Sequence, residues 1–246
     1  MNLQRLTWVE VEQYLKRSTG IIIPIGSTEQ HGPNGLMGTD AICPEAIAAE
    51  VGRRIELLVG PPINFGMAQH HLGFPGTIAL RPSTLSAVVQ DIVASLGVHG
   101  FTHVLFVNGH GGNTATTNSA FSEYYAEHSF RKNQSDNVLR TKILNWWTLP
   151  RVKQLADELY PNAEGSHATP SEVSLSYYAC GMKVPQSPLV PPKPSGDFLH
   201  AADFRRRFPD GRMGSNPALA SAEAGKRFLE AAAEDVVEIY EKFLKI

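Results

Sequence analysis

A glutamate, a histidine and an aspartate (Glu29, His31 and Asp40) share the glycine-punctuated stretch GSTEQHGPNGLMGTD at residues 26 to 40. It follows the apolar run Ile21 to Ile25 directly, so these donors sit at the end of an expected strand. A second run, Val104 to Val107, ends in NGHGGN and presents His110 between glycines. Ligands of open α/β sheets gather outside the carboxyl ends of strands, so the two ends point to one shared site. Glu172 lies near the start of an expected helix, Pro170 to Ala179. Three carboxylates converging on one pocket repel one another, and at neutral pH they require protons or divalent cations. His31 and His110 favour cations, because mixed nitrogen and oxygen donors suit zinc or manganese better than magnesium or calcium. Two divalent ions balance three carboxylates and one hydroxide. If Asp40 bridges, Glu29 and His110 serve one ion and His31 and Glu172 the other, with positions left open for water and substrate.

Each residue alone has a plainer reading. A loop Glu, Asp or His is commonly a cap or a surface group, and a helix dipole favours a carboxylate where Glu172 stands. Two glycine-flanked histidine motifs after buried-looking strands are harder to dismiss. NGHGGN is not a phosphate loop, since Thr114 stands where GxGxxG needs glycine and no lysine follows. His70 and His71 precede LGFPGT and read equally as pocket lining or ordinary loop. Trp146 and Trp147 read as two core side chains in a strand, with one indole walling the cavity as the alternative.

The elements that must position these groups alternate in type. Strand-like runs at Ile21 to Ile25, Leu57 to Val59, Val104 to Val107 and Ile143 to Trp147 are β-branched and bounded by Gly or Pro. Between them, Ser83 to Leu96 has helical apolar spacing with Ser83 or Thr84 as N-cap, and Thr114 to His128 fits a helix after NGHGGN. This alternation predicts a largely parallel sheet covered by helices. Pro185 to Pro217 lacks periodicity and reads as an irregular excursion, an active-site cover or a subunit contact. Ala218 to Leu244 repeats apolar residues at helical spacing and reads as a packing helix.

Composition narrows the classes. With 246 residues, 42% of them hydrophobic, the chain can bury the core of one α/β domain over 1–246. Its 22 basic and 24 acidic side chains give a net charge of −2, which offers no field for nucleic acid or an anionic membrane. Arg205, Arg206 and Arg207 form one local basic run, read as solvated surface. Cys43 and Cys180 are distant and in no CxxC arrangement, which fits a reducing, cytoplasmic setting. The N-terminus lacks a signal peptide's apolar centre, and no stretch approaches the roughly 18 apolar residues of a membrane span.

GSTEQHG with GTD, FPGT (74 to 77), NGHGGN, HATPSEVS (167 to 174) and PDGRMGSNP (209 to 217) run in order through most of the chain. In these motifs the sequence resembles the creatininase family of metal-dependent amidohydrolases. The resemblance implies a three-layer α/β/α sandwich with a mostly parallel central sheet, assembly into homohexamers, and a binuclear site for Zn²⁺ or Mn²⁺, with Fe²⁺ admissible. Glu29, His31, Asp40 and His110 match ligand positions, and Glu172 of the HA-x-x-x-E segment completes the set. His167 resembles the family's catalytic histidine, placed to protonate a leaving nitrogen. Creatinine-hydrolysing members carry tyrosine and glutamate after the motif histidine. Here Gly111 and Gly112 leave that space, and Asn34 stands where histidine is frequent, so creatinine itself is disfavoured. The expected activity is hydrolysis of a small-molecule C–N amide, cyclic or linear. The alternatives are a hydrolase opening a sugar-derived ring at a C–C or lactone-like bond, and a non-catalytic metal-binding scaffold.

Overall fold

Ile21, Ile23 and Ile25 pack to one side of a strand and Ile22 to the other, and all four are buried. A strand apolar on both faces must lie inside a sheet covered on both sides. The computed structural model, which describes residues 1–131, 138–185 and 188–245, shows that arrangement. Four parallel strands, β1 (Gly20–Ile25), β2 (Leu58–Val59), β3 (His103–Asn108) and β4 (Arg140–Asn145), lie in the order β2-β1-β3-β4. Register runs from Gly20 opposite His103 to Ile25 opposite Asn108, and from His103 opposite Arg140 to Asn108 opposite Asn145. The two strands that lead into the candidate ligands therefore end side by side.

Helices α1 (Trp8–Leu15), α3 (Pro82–Val98) and α4 (Asn113–Ser129) cover the face of Ile21, Ile23, Val104 and Phe106. Helices α2 (Thr39–Arg54), α5 (Pro150–Leu159), α6 (Pro170–Ala179) and α8 (Ala222–Phe243) pack on the side of Ile22, Leu105 and Val107. The result is the three-layer α/β/α sandwich. The chain leaves β1 through α2 on one face and β3 through α4 on the other, so the winding direction reverses between these strands. Such a switch point opens a crevice at the strands' carboxyl ends.

Proline inside a central strand removes a ladder donor. Pro24 is tolerated because β1 alternates its partners: Ile22 and Pro24 face the β2 side, where their carbonyls accept from Gly60 and Ile63. The two-residue β2 has ended before Pro24, so no ladder bond is lost.

Several expected boundaries move. The last strand stops at Asn145, because Trp146–Thr148 turn into a 3-10 segment; the two indoles then leave the strand and diverge, Trp146 into the core and Trp147 to a half-buried position. The helix expected over Ser83 to Leu96 starts one residue earlier, at Pro82, with Arg81 rather than Ser83 or Thr84 as N-cap. Proline suits a first helical turn, where no intrahelical donor is needed. The C-terminal helix starts at Ala222 behind a Ser221 cap, and Pro217–Leu219 form a separate 3-10 turn. The excursion from Pro185 holds a short helix, α7 (Ala201–Arg207), although its residues 186 and 187 lie outside the described ones. Arg206 and Arg207 of the basic run pair with Asp203 while staying exposed, and Arg205 lies 4.1 Å from the centre of the Phe74 ring. Among the described residues, no helix is long and apolar enough to cross a membrane.

Phe228 of α8 is fully buried and stacks on Tyr160, with ring centres 6.0 Å apart. Phe228→Ala should lower unfolding stability by about 3–5 kcal/mol, read as a lower urea midpoint with an unchanged slope.

Candidate metal centre

The glycines that close β1 and β3 are needed for what lies across from them. A Cβ on Gly26 would sit 2.1 Å from the carbonyl oxygen of Asp40, and one on Gly109 would sit 2.0 Å from it. The first turn of α2 is thus wedged against both strand ends, with Asp40 at its second residue. Pro44, inside the helix, has no N–H to offer that carbonyl, so the turn meets the strands with its oxygen outward.

Around Asp40 the candidate ligands converge. His31 Nε2 lies 2.9 Å from Asp40 Oδ1 and 3.9 Å from Glu172 Oε1. His110 Nδ1 lies 3.0 Å from Asp40 Oδ2 and 3.3 Å from Glu29 Oε2. Two triads, Glu29–Asp40–His110 and His31–Asp40–Glu172, each bring one donor atom per residue within 4.8 Å of the others. Asp40 is common to both, the partition expected if it bridges two ions. A third triad, Glu29–His31–His167, adjoins them. All five expected ligands and His167 are therefore brought together.

Each imidazole is aimed by a backbone carbonyl at its other nitrogen. His31 Nδ1 reaches Glu29 O at 3.1 Å and His110 Nε2 reaches Met67 O at 3.0 Å, which assigns those protons and leaves His31 Nε2 and His110 Nδ1 as donors to the cluster. Gly112 makes the second contact possible, since a Cβ there would lie 2.5 Å from both Met67 O and His110 Nε2. Space was expected at both Gly111 and Gly112, and only Gly111 faces the cavity. Asn108 accepts from the His110 amide at 3.1 Å and donates to its carbonyl at 2.7 Å, while Asn113 donates to Gly26 O at 2.9 Å.

Glu172 serves twice. It is the third residue of α6 and closes a capping box with Thr169, its Oε1 accepting from Thr169 N at 2.6 Å. The helix-start carboxylate and the candidate ligand are therefore the same side chain.

The charges fit divalent cations. Glu29 Oε1 and Oε2 and Asp40 Oδ2 are buried without a hydrogen-bond partner, an arrangement that is costly unless something cationic occupies the space between them. Burial opposes charge on His31, yet Asp40, Glu172 and Glu29 outweigh it and push its pKa up to about 10. Burial likewise opposes charge on His110, and Glu29 and Asp40 push it up to about 9. Asp40 is held far below the usual carboxylate range, because His31 and His110 overcome its burial. Glu172 is pushed up to about 7 by burial, against the pull of His31 and with Asp40 adding to the rise. Protons on the two imidazoles stand where cations would.

His167 sits in the loop before α6, its Nε2 2.8 Å from Gln30 O and its Nδ1 3.9 Å from Glu29 Oε1. Burial, with His71 and His31 close by, lowers its pKa well below the ordinary value, so it is neutral at pH 7. His71 is buried with its Nε2 3.1 Å from Glu29 Oε1, which places it in the site rather than in an ordinary loop. His70 stacks on Phe198 with ring centres 4.8 Å apart, and Phe204 of α7 meets His71 edge-on at 4.6 Å. Phe198 and α7 thus cover the histidine side of the cluster. A cavity of about 370 Å³ opens beside it, walled by Trp147, Val152 and Ala156 and by the polar Glu164, Ser166 and Lys153.

The sequence model of the creatininase family, described as creatinine amidohydrolase, matches residues 4–240. The chain belongs to the creatininase family. Solved creatininases include a zinc–zinc type and a manganese form, and three comparisons place the chain beside such proteins. It is 31% identical over 162 residues to creatinine amidohydrolase of Pseudomonas putida, covering 63% of this chain and 61% of that protein. It is 27% identical to the mycofactocin precursor peptide peptidase of Mycolicibacterium smegmatis, over 84% of this chain and 78% of that one. A crystal structure of creatinine amidohydrolase (creatininase) superposes with a TM-score of 0.86 at 25% identity, covering 98% of this chain and 97% of the other.

Gln30, His71, Asn108, Asn113 and Trp147 take part in the site without standing among the expected ligands. Gln30, Asn108 and Asn113 lie inside the two motifs, but nothing in residue type shows that an amide will be buried.

Because protons occupy the metal-free cluster, metal uptake must displace them. Zinc affinity of the stripped protein should rise with pH from 6 towards the raised imidazole values and release protons at pH 7. Calorimetry in buffers of different ionisation enthalpy measures that release, and an affinity independent of pH would contradict it.

Proposed function

We propose that this creatininase-family protein hydrolyses a C–N amide bond, cyclic or linear, of a small molecule. Two divalent ions, zinc or manganese, are held by Glu29, His31, Asp40, His110 and Glu172. The observation that carries this reading is the sharing of Asp40 between two ligand triads in which Glu29 Oε1 and Oε2 and Asp40 Oδ2 have no hydrogen-bond partner in the interior. Solved creatininase structures of a zinc–zinc type, of a manganese form and of a complex with creatine support both the metals and a small substrate. When bound, such ions supply a water acidic enough to attack at neutral pH and polarise the substrate carbonyl.

The rest falls to the chain. His167 donates Nε2–H to the Gln30 carbonyl, which leaves Nδ1 free on the side of Glu29. A neutral imidazole cannot open as a proton donor; it takes a proton at Nδ1 during attack and delivers it to the departing nitrogen. Trp147 and Val152 offer the substrate an apolar wall, while Phe198 and Phe204 exclude water from the histidine side.

A second reading, hydrolysis of a ring bond in a sugar derivative, rests on 34% identity over 109 residues to 3-dehydro-scyllo-inosose hydrolase of Thermotoga maritima. Release of ammonia or an amine separates the two. The reading also includes assembly with further copies, a hexamer by resemblance, and a cytoplasmic setting supported by the free thiols of Cys43 and Cys180.

Asp40→Ala should lose both metal and turnover, and two retained metal equivalents in the folded variant would remove the bridge. His167→Ala should keep the metals, measured by elemental analysis, while kcat falls about 10²–10⁴-fold. A metal scaffold without catalysis predicts no change in activity on that substitution.

A further inference from the structure

We propose that Gln30 is a positioning residue whose carboxamide and backbone carbonyl fix the protons of His71 and His167, and through His71 the pose of Glu29. Gln30 is buried, and its side chain reaches three segments distant in sequence.

Two backbone partners orient the amide. Oε1 accepts from Gly32 N at 2.8 Å, and Nε2 donates to Gly211 O at 3.0 Å. A flipped amide would set oxygen against oxygen and N–H against N–H, so the orientation is determined. One hydrogen remains on Nε2, with two imidazole nitrogens in range, His71 Nδ1 at 2.9 Å and His167 Nε2 at 2.9 Å. His167 Nε2 also lies 2.8 Å from Gln30 O, a contact that is favourable only if this nitrogen carries a proton. It therefore donates to that carbonyl, and the remaining amide hydrogen goes to His71 Nδ1. His71 must then carry its own proton on Nε2, where Glu29 Oε1 lies 3.1 Å away.

The accounting leaves each group one role. The protonated Nε2 of His71 faces Glu29 Oε1 at 3.1 Å, and Oε2 lies on the side of His110 and Asp40. His167 keeps Nδ1 unprotonated. Partners of this kind behind a metal ligand typically change metal affinity or activity about 10–100-fold when removed. The effect on affinity rests on the metal-site reading above, whereas the proton positions do not.

Long-range ¹H–¹⁵N spectra of the zinc-loaded wild type, with His71 assigned from its loss in a His71→Gln variant, should show both His71 and His167 protonated at Nε2. A proton on His71 Nδ1 overturns the proposal without any substitution at Gln30. Gln30→Glu keeps the size and removes the donor, so His71 should move its proton to Nδ1 and the zinc Kd should rise about 10–100-fold. Gln30→Leu should raise the Kd similarly. An unchanged His71 spectrum and Kd in Gln30→Glu overturn the assignment. A wild type that takes up no zinc, yet shows both tautomers in its metal-free spectrum, supports the clamp and sinks the metal reading alone.

Discussion

Three carboxylates cannot share one dry pocket without compensation. Glu29 and Asp40 are almost fully removed from water, Glu172 lies beside them, and among the described residues the side chains paired with them are imidazoles. The desolvation and mutual repulsion of such a cluster run to several kcal/mol per ion. The surrounding structure holds the groups together regardless: strands that end in parallel, a helix start wedged between them, and a capped helix that presents Glu172. Rigid elements fix the donors, and loops only carry them.

Wedging sets the tolerances. The start of α2 approaches β1 and β3 so closely that only glycine fits at Gly26 and Gly109. The histidines are held from behind by Glu29 O and Met67 O rather than by other side chains, so their aim depends on backbone positions. Backbone acceptors cannot rotate away, which makes the donor geometry independent of rotamer choice.

Much of this was legible in the residues. Strand runs, the parallel sheet and the helix Pro170–Ala179 follow from apolar periodicity and Pro or Gly punctuation, and the candidate ligands from motif position. Helix α2 was not legible: its small residues and Pro44 blur the helical period, although it carries Asp40. The end of β4 was missed because two tryptophans prolong an apolar run that the backbone abandons at Asn145. Gln30 was out of reach, and His71 read equally as pocket lining or ordinary loop, for a different reason. Their parts depend on what faces them across the fold, and Gln30 meets a carbonyl 181 residues away.

The candidate ligands run from Glu29 to Glu172, so no fragment of the chain shorter than that span can gather them. Cations that select such an arrangement bind the native state and not the unfolded chain, and they deepen the native well by mass action. Cellular supply of the ion would then set the lifetime of the protein as well as its competence, with starved copies opening more often to proteases.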